Sequence, residues 1–161
     1  MADWSAALAS AGFRKVRTLG ASGNAVVEAD GALSHEEVEA RVERSLREGV
    51  GLETCAVARE PEEWDRLIEA NPFRTEAATD PGHLLATVLK GVPPRKAWAA
   101  LTAAIVGRER VAPGAKHAYL VYPDGIGRSK LTAVLIEQQL GVRGTSRNWN
   151  TVLRLRELLR S

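Results

Sequence analysis

Read for apolar periodicity and turn residues, the chain spells nearly the same string of elements twice, αββαβ through its first half and βαββα through its second. Few folds accommodate such a string. A strand placed ahead of the first helix would make both halves βαββαβ, the split-βαβ arrangement in which two helices cover one face of a mostly antiparallel sheet. The fold class is therefore α+β: two ferredoxin-like halves in tandem, the first without its opening strand, closed by a C-terminal helix. Residues 1–74 form the first half with a following helix, 75–82 the connection, and 83–161 the second half. Residues 83–145 are expected to repeat residues 1–59.

The individual elements rest on local chemistry. In the first half, Asp3 to Ala11 reads as a helix with Trp4, Ala7, Leu8 and Ala11 on one stripe and Gly12 at its end. Val16 to Leu19 and Ala25 to Ala29 form a hairpin around Ser22-Gly23-Asn24, whose glycine and asparagine tolerate positive φ. Ser34 and Glu37 make a capping box for a helix with Val38, Val42 and Leu46 inward, leaving Glu36, Glu39, Glu43, Arg44 and Arg47 for water. Gly51 stops that helix. Leu52 to Ala58 is a predicted strand, Pro61 opens a helix with Trp64, Leu67 and Ile68 buried, and Asn71-Pro72 ends it.

Thr75 to Gly82 lacks periodicity, and Asp80-Pro81-Gly82 marks it as a connection. Leu84 to Leu89 is an apolar run short enough to be a buried strand, and Pro93-Pro94 leads into a helix bearing Trp98, Leu101 and Ile105. Strands near Arg108 to Ala112 and His117 to Tyr122 bracket Pro113-Gly114. A helix over Ser129 to Leu140 stops at Gly141, a short strand falls near Val142 to Thr145, and Asn148 to Arg160 is the last helix.

Charge is spread unevenly. Met1 to Val106 carries 12 Lys/Arg against 16 Asp/Glu, and Gly107 to Ser161 carries 10 against 4, so a net +2 conceals a basic C-terminal third. Two readings stand: an anion-binding face, or acidic and basic segments that face each other or water. Cys55 is the single cysteine, which excludes an internal disulfide framework, and His35, His83 and His117 match no recognised metal spacing, so neither a metal nor a cofactor is expected. The chain opens Met1-Ala2-Asp3-Trp4-Ser5 with no leader pattern, and no window approaches a membrane span. A cytoplasmic location is expected.

Gly125-Ile126-Gly127-Arg128-Ser129-Lys130 is the segment with most chemical content. Its glycines free a strand-to-helix turn, Ser129 is placed as an N-cap, and Arg128 and Lys130 add charge where a helix start offers N–H groups to an anion. It lacks the third glycine of a dinucleotide fingerprint and the Gly-Lys-Ser/Thr order of a P-loop, so a turn serving geometry alone is the competing reading. Arg147-Asn148-Trp149-Asn150-Thr151 combines a guanidinium, two amides and an indole at a helix start. Arg147 would fork onto phosphate and Trp149 stack on a base; alternatively Asn148 or Asn150 caps the helix and Trp149 is core. Tyr119 and Tyr122 are read as strand tyrosines sharing one face, and Ser22 as a hairpin residue, not a nucleophile.

Taken together, Gly12-Phe13, Val16-Arg17-Thr18, Ser22-Gly23-Asn24, Asn71-Pro72-Phe73, the Gly125 to Lys130 segment and Arg147 to Thr151 resemble the signature stretches of the domain of unknown function 1697 (DUF1697) family. The resemblance implies two ferredoxin-like halves and no established activity or cofactor. It also implies an opening strand with an Arg-Gly-Ile-Asn-Val-Gly-Gly stretch, which this sequence lacks; either the start is assigned late or the protein is naturally short. The expected function is a binding module for a phosphate-bearing ligand or nucleic acid; the alternative is an enzyme of unknown reaction using the same cleft. A missing strand leaves an unpaired sheet edge and so predicts self-association.

Overall fold

The computed structural model describes residues 2–20 and 23–161; Ser22 of the predicted hairpin turn lies outside the described residues. Two compact units emerge, unit 1 comprising Met1–Trp64 with Arg154–Ser161, and unit 2 comprising Asp65–Leu153.

Unit 1 holds helices α1 (Ala2–Ser10) and α2 (His35–Val50) and the antiparallel hairpin β1 (Arg14–Leu19) with β2 (Asn24–Glu28). The register shifts between Arg14 and Arg17, where Lys15 adopts a positive φ of 49°, the local signature of a bulge. The capping box forms as the sequence predicts, Ser34 accepting from the Glu37 amide at 3.1 Å and Glu37 from the Ser34 amide at 3.3 Å. Gly51 ends α2 in the left-handed conformation that a helix terminus favours. Leu8, Phe13 and Leu46 are buried, and α1 packs close enough to α2 that a Cβ added at Gly49 would stand 3.1 Å from the Ala7 Cβ, a tight contact.

Two expectations in this unit change. Leu52 to Ala58 joins no ladder among the described residues. Extended chain becomes sheet only beside another strand, and here carboxylates of α2 take up its donors instead: the Ala56 amide donates to Glu43 Oε2 at 3.0 Å and the Ala58 amide to Glu39 Oε2 at 2.9 Å. Glu39 and Glu43 are accordingly not a solvated face. Glu39 is only 3% exposed. Beside it, burial is the main influence on Arg59, lowering its pKa against the opposing pull of Glu63 and Glu39.

Unit 2 includes the end of α3 (Pro61–Glu69), then α4 (Arg74–Thr79), a 3₁₀ turn (Pro81–His83), β3 (Leu84–Leu89), α5 (Arg95–Ala104), β4 (Arg110–Pro113), β5 (His117–Val121), α6 (Ala133–Leu140), β6 (Gly144–Asn148) and the start of α7 (Trp149–Arg160). The stretch read as a bare connection thus contains a short helix and a 3₁₀ turn. Asn71 is buried and folds an Asx turn onto Phe73, accepting from its amide at 3.0 Å, which halts α3 ahead of Pro72.

The sheet of unit 2 runs β4-β5-β3-β6 with every neighbouring pair antiparallel. All six β3 residues are buried. Leu85, Leu89, Ala118 and Leu120 face a core completed by Leu101 of α5 and Ile136 and Leu140 of α6. Strand alternation turns Ala86 and Tyr119 to the other face, where the Tyr119 hydroxyl donates to the Leu67 carbonyl at 2.6 Å and its ring lies 6.4 Å from Trp149. Gly144 permits β6 to close on β3, since a Cβ there would sit 2.5 Å from the Val88 carbonyl oxygen.

Candidate functional site

The Gly125 to Lys130 segment follows β5 at the end of the sheet where β3 begins and β6 finishes. It is a turn, and Ser129 is not the N-cap. Helix α6 starts four residues later than expected, with Thr132 as the cap whose hydroxyl accepts from the Leu135 amide at 3.2 Å. The Ser129 hydroxyl has another partner: it donates to Glu109 Oε1 at 2.6 Å and accepts from the Leu131 amide at 3.0 Å. Sequence reasoning missed Glu109 because it lies 20 residues upstream. Its only signal was a carboxylate between Arg108 and Arg110.

The turn is fixed at both ends. Gly125 has a φ of +86°, which a side-chain-bearing residue rarely adopts, and its amide donates to the Tyr122 carbonyl at 3.0 Å. Leu131 is buried in the core against α5 and α6, and its carbonyl accepts from the Tyr122 hydroxyl at 2.9 Å. Between these anchors Gly127, Arg128 and Lys130 are exposed. Among the described residues their backbone N–H groups have no acceptor, and the side chains of Arg128 and Lys130 join no ion pair. Two nearby pairs of charges are already matched. Arg108 is bound through two nitrogens to Asp124, and Arg110 Nη2 reaches Glu76 Oε2 at 2.7 Å. These contacts hold Asp124 and Glu76 below the usual carboxylate range, the hydrogen bond from arginine being the main cause in each, and the Ser129 hydroxyl does the same for Glu109.

The second segment is arranged differently. Arg147 and Asn148 belong to strand β6, not to the last helix. The register pairs Arg147 with Ala86 and hence turns it to the face shared with Tyr119, opposite the α5 and α6 core that holds Leu131. Arg147 is half-buried, its Nη1 donating to Thr145 Oγ1 at 2.7 Å and to the Ser146 carbonyl at 2.8 Å, and burial lowers its pKa. Asn148 caps α7, accepting from the Thr151 amide at 3.1 Å, and Trp149 is 3% exposed, so the cap and core readings hold for both. Asn150 is exposed in the first turn of α7. Arg128 and Lys130 share one exposed turn, whereas Arg147 is half-buried on the Tyr119 face of the sheet and Trp149 is core.

The two tyrosines also separate. Three residues apart on one extended run, they point to opposite faces, Tyr119 toward Trp149 and Tyr122 into the core with Leu131. Both are almost completely buried and donate to backbone carbonyls. In unit 1 a shallow groove between α1 and α2 presents Asp3 and Glu48 with no cation in its lining, chemistry unsuited to an anion.

The fold is thus a mixed α+β protein with two antiparallel sheets and seven α-helices among the described residues. The chain belongs to the DUF1697 family, described as a protein of unknown function, which it matches over residues 1–119. The match covers all of β1 to β4 and ends within β5, ahead of the Gly125 to Lys130 turn. No curated protein and no solved structure is detectably similar to the chain. Among the described residues no helix is long and apolar enough to cross a membrane.

Burial pushes the Tyr119 and Tyr122 phenols up to about 12, with Glu109 adding a smaller push on Tyr122. An unfolded tyrosine titrates near ~10, so between about pH 10 and 12 the folded chain holds protons that the unfolded chain loses. Stability should therefore fall as pH rises through that window. In an ultraviolet titration neither phenol should ionise before the chain unfolds; ionisation of both near pH ~10 in folded protein would contradict their burial.

Proposed function

We propose that the chain is a binding module for a phosphate-bearing ligand, held at the Gly125 to Lys130 turn by Arg128, Lys130 and the backbone N–H groups around them. The observation that carries this reading is the combination of unclaimed amides and two unpaired cations on a turn anchored at both ends. Successive N–H groups on a glycine-bearing turn favour an anion, and formal charges beside them strengthen the contact. Asp124 opposes an anion less than its charge suggests, because Arg108 pairs with it, whereas Glu109, engaged by the neutral Ser129 hydroxyl, keeps its charge and works against an anion. Arg147, Asn148 and Trp149 have roles in β6 and α7 and are not part of this site. The enzymatic alternative is the weaker reading: Glu109, which accepts from the Ser129 hydroxyl, is held below the usual carboxylate range and is a poor base, and the buried tyrosines stay protonated.

The same reading takes unit 2 as one ferredoxin-like half, supported by its β4-β5-β3-β6 order with α5 and α6 as the two crossovers. Unit 1 would be the other half without its opening strand, supported by the α1-β1-β2-α2 succession and by an extended 52–58 segment that has no ladder partner among the described residues. A cytoplasmic location belongs to this reading. So does self-association through the unpaired edges of the two-stranded sheet. Light scattering on dilution should show species larger than one chain dissociating; a monomer at every concentration would remove that part.

Calorimetric titration with inorganic phosphate and with a nucleoside triphosphate tests the site. The Arg128→Ala/Lys130→Ala variant should lose about tenfold or more in affinity, the scale of a lost charge-assisted hydrogen bond. Its melting temperature should be unchanged, because exposed cations contribute little to stability. Equal affinity in the variant and the unaltered chain would refute the assignment.

A further inference from the structure

His83, the last residue of the 3₁₀ turn ahead of β3, stands beside the Gly125 to Lys130 turn. Tyr122 bridges the two: its amide donates to the His83 carbonyl at 2.9 Å, and its carbonyl accepts from the Gly125 amide at 3.0 Å. The imidazole reaches the start of the turn. A Cβ built on Gly125 would have His83 Nε2 at 4.0 Å, the one atom that close outside the adjoining residues. The other ring nitrogen is engaged, Nδ1 lying 2.9 Å from Asp80 Oδ2. A carboxylate oxygen accepts and does not donate, so Nδ1 carries the proton and, in the neutral ring, Nε2 is left with its lone pair. Nε2 makes no hydrogen bond among the described residues, and both side chains of the pair are partly exposed.

The segment keeps its shape without this pair. The His83 amide donates to the Asp80 carbonyl at 3.1 Å and its carbonyl is taken by Tyr122, so both backbone groups are satisfied by backbone alone. A side-chain pair so exposed adds little to stability. We infer that His83 Nε2 accepts a hydroxyl of the ligand bound at the turn, so that the site takes a phosphate ester with a free hydroxyl near its phosphate in preference to a bare phosphate. The inference rests on the turn holding the phosphate. Arg128, Lys130 and the turn's N–H groups donate, and ionised phosphate oxygens only accept, so these match one another and leave Nε2 nothing on the phosphate to accept from. A ligand hydroxyl supplies that donor. Other acceptors beside the turn are occupied: both oxygens of Asp124 bind Arg108, and Glu109 Oε1 binds the Ser129 hydroxyl. Gly125 and Arg128, three residues apart, are separated by at most about 11 Å, a span that a phosphate, a short carbon chain and a hydrogen bond at each end can cover. An alcohol is too weak an acid to give its proton to an imidazole, so the contact orients the ligand. Asp80 is a positioning residue, fixing the ring and its tautomer.

The test is calorimetric titration of the full chain with α-glycerophosphate and with n-propyl phosphate, esters of equal chain length that differ in their hydroxyls, in mildly alkaline buffer that keeps imidazole neutral. The unaltered chain should bind α-glycerophosphate about three- to tenfold more tightly, the scale of one net hydrogen bond. His83→Ala should bind the two esters equally, and propyl phosphate as well as the unaltered chain does. Asp80→Ala should lose most of the preference. Nitrogen NMR of the histidine rings should show Nε2 of His83 unprotonated in the unaltered chain and the proton moved toward it in Asp80→Ala, a change that a pair merely bracing the 3₁₀ turn would not require. Should a variant fail to fold, the ester comparison and the ring NMR on the unaltered chain still decide. Equal affinity for the two esters in the unaltered chain overturns the inference, as does a preference that survives His83→Ala or a proton found on Nε2. If both esters bind equally and Arg128→Ala/Lys130→Ala weakens both, the role of His83 fails and the turn stands; if neither ester binds, both fail.

Discussion

Burial of β3 is the constraint on which unit 2 depends. Each of its six residues is buried, and antiparallel ladders run along both edges, to β5 on one side and β6 on the other. A strand in that position needs cover on two faces as well as two edges, because its backbone and side chains have no access to water. The core of α5 and α6 supplies one cover; Tyr119, Leu67, Trp149 and Val152 are among the buried residues outside that core. Closing the second edge brings β6 so near that only glycine fits at position 144 beside the Val88 carbonyl.

The same strand separates two kinds of surface. Where β3 begins, acids and bases are interleaved, and Arg108 with Asp124 and Arg110 with Glu76 consume most of the charge, leaving Arg128 and Lys130 on their turn. Where β3 ends, the loops carry cations without acids. A small net charge for the whole chain therefore says little about what either end can bind, since fields act over about a Debye length and each end is read locally by its partner. Unit 1 shows the complementary case. There an extended segment lacks a ladder, and the carboxylates of Glu39 and Glu43 serve its amides, at the cost of placing Glu39 out of water.

Local signals were legible and distant ones were not. The β3 run, the Ser34 and Glu37 capping box, the left-handed stops at Gly51 and Gly141, and the Asn71-Pro72 helix end all depend on residues within a few positions of one another, and each is where the sequence places it. Ser129 reads as a cap from sequence because two hydroxyls, its own and that of Thr132, compete for one helix start, and the arbiter is Glu109 on a different segment. Helical periodicity sent Glu39 and Glu43 to solvent because nothing in α2 announces that Ala56 and Ala58 need acceptors. Where β3 ends, the cations come from three stretches, 89–97 before residue 106 and 113–117 and 140–144 after it, so no single window of sequence shows them together. Arg147 and Arg128 both lie in the basic third, but the one-residue alternation of β6 decides which face Arg147 takes, and that is fixed only by pairing with β3.

Amide hydrogen exchange followed by NMR tests the central claim, that the doubly laddered β3 holds unit 2 together and fixes both of its ends. The amides of Leu85 to Leu89 should be among the slowest in the chain and should exchange only with global unfolding of unit 2, in step with their partners in β5 and β6. Exchange of the β3 amides by local opening, at rates like those of the two-stranded β1-β2 hairpin, would contradict the account.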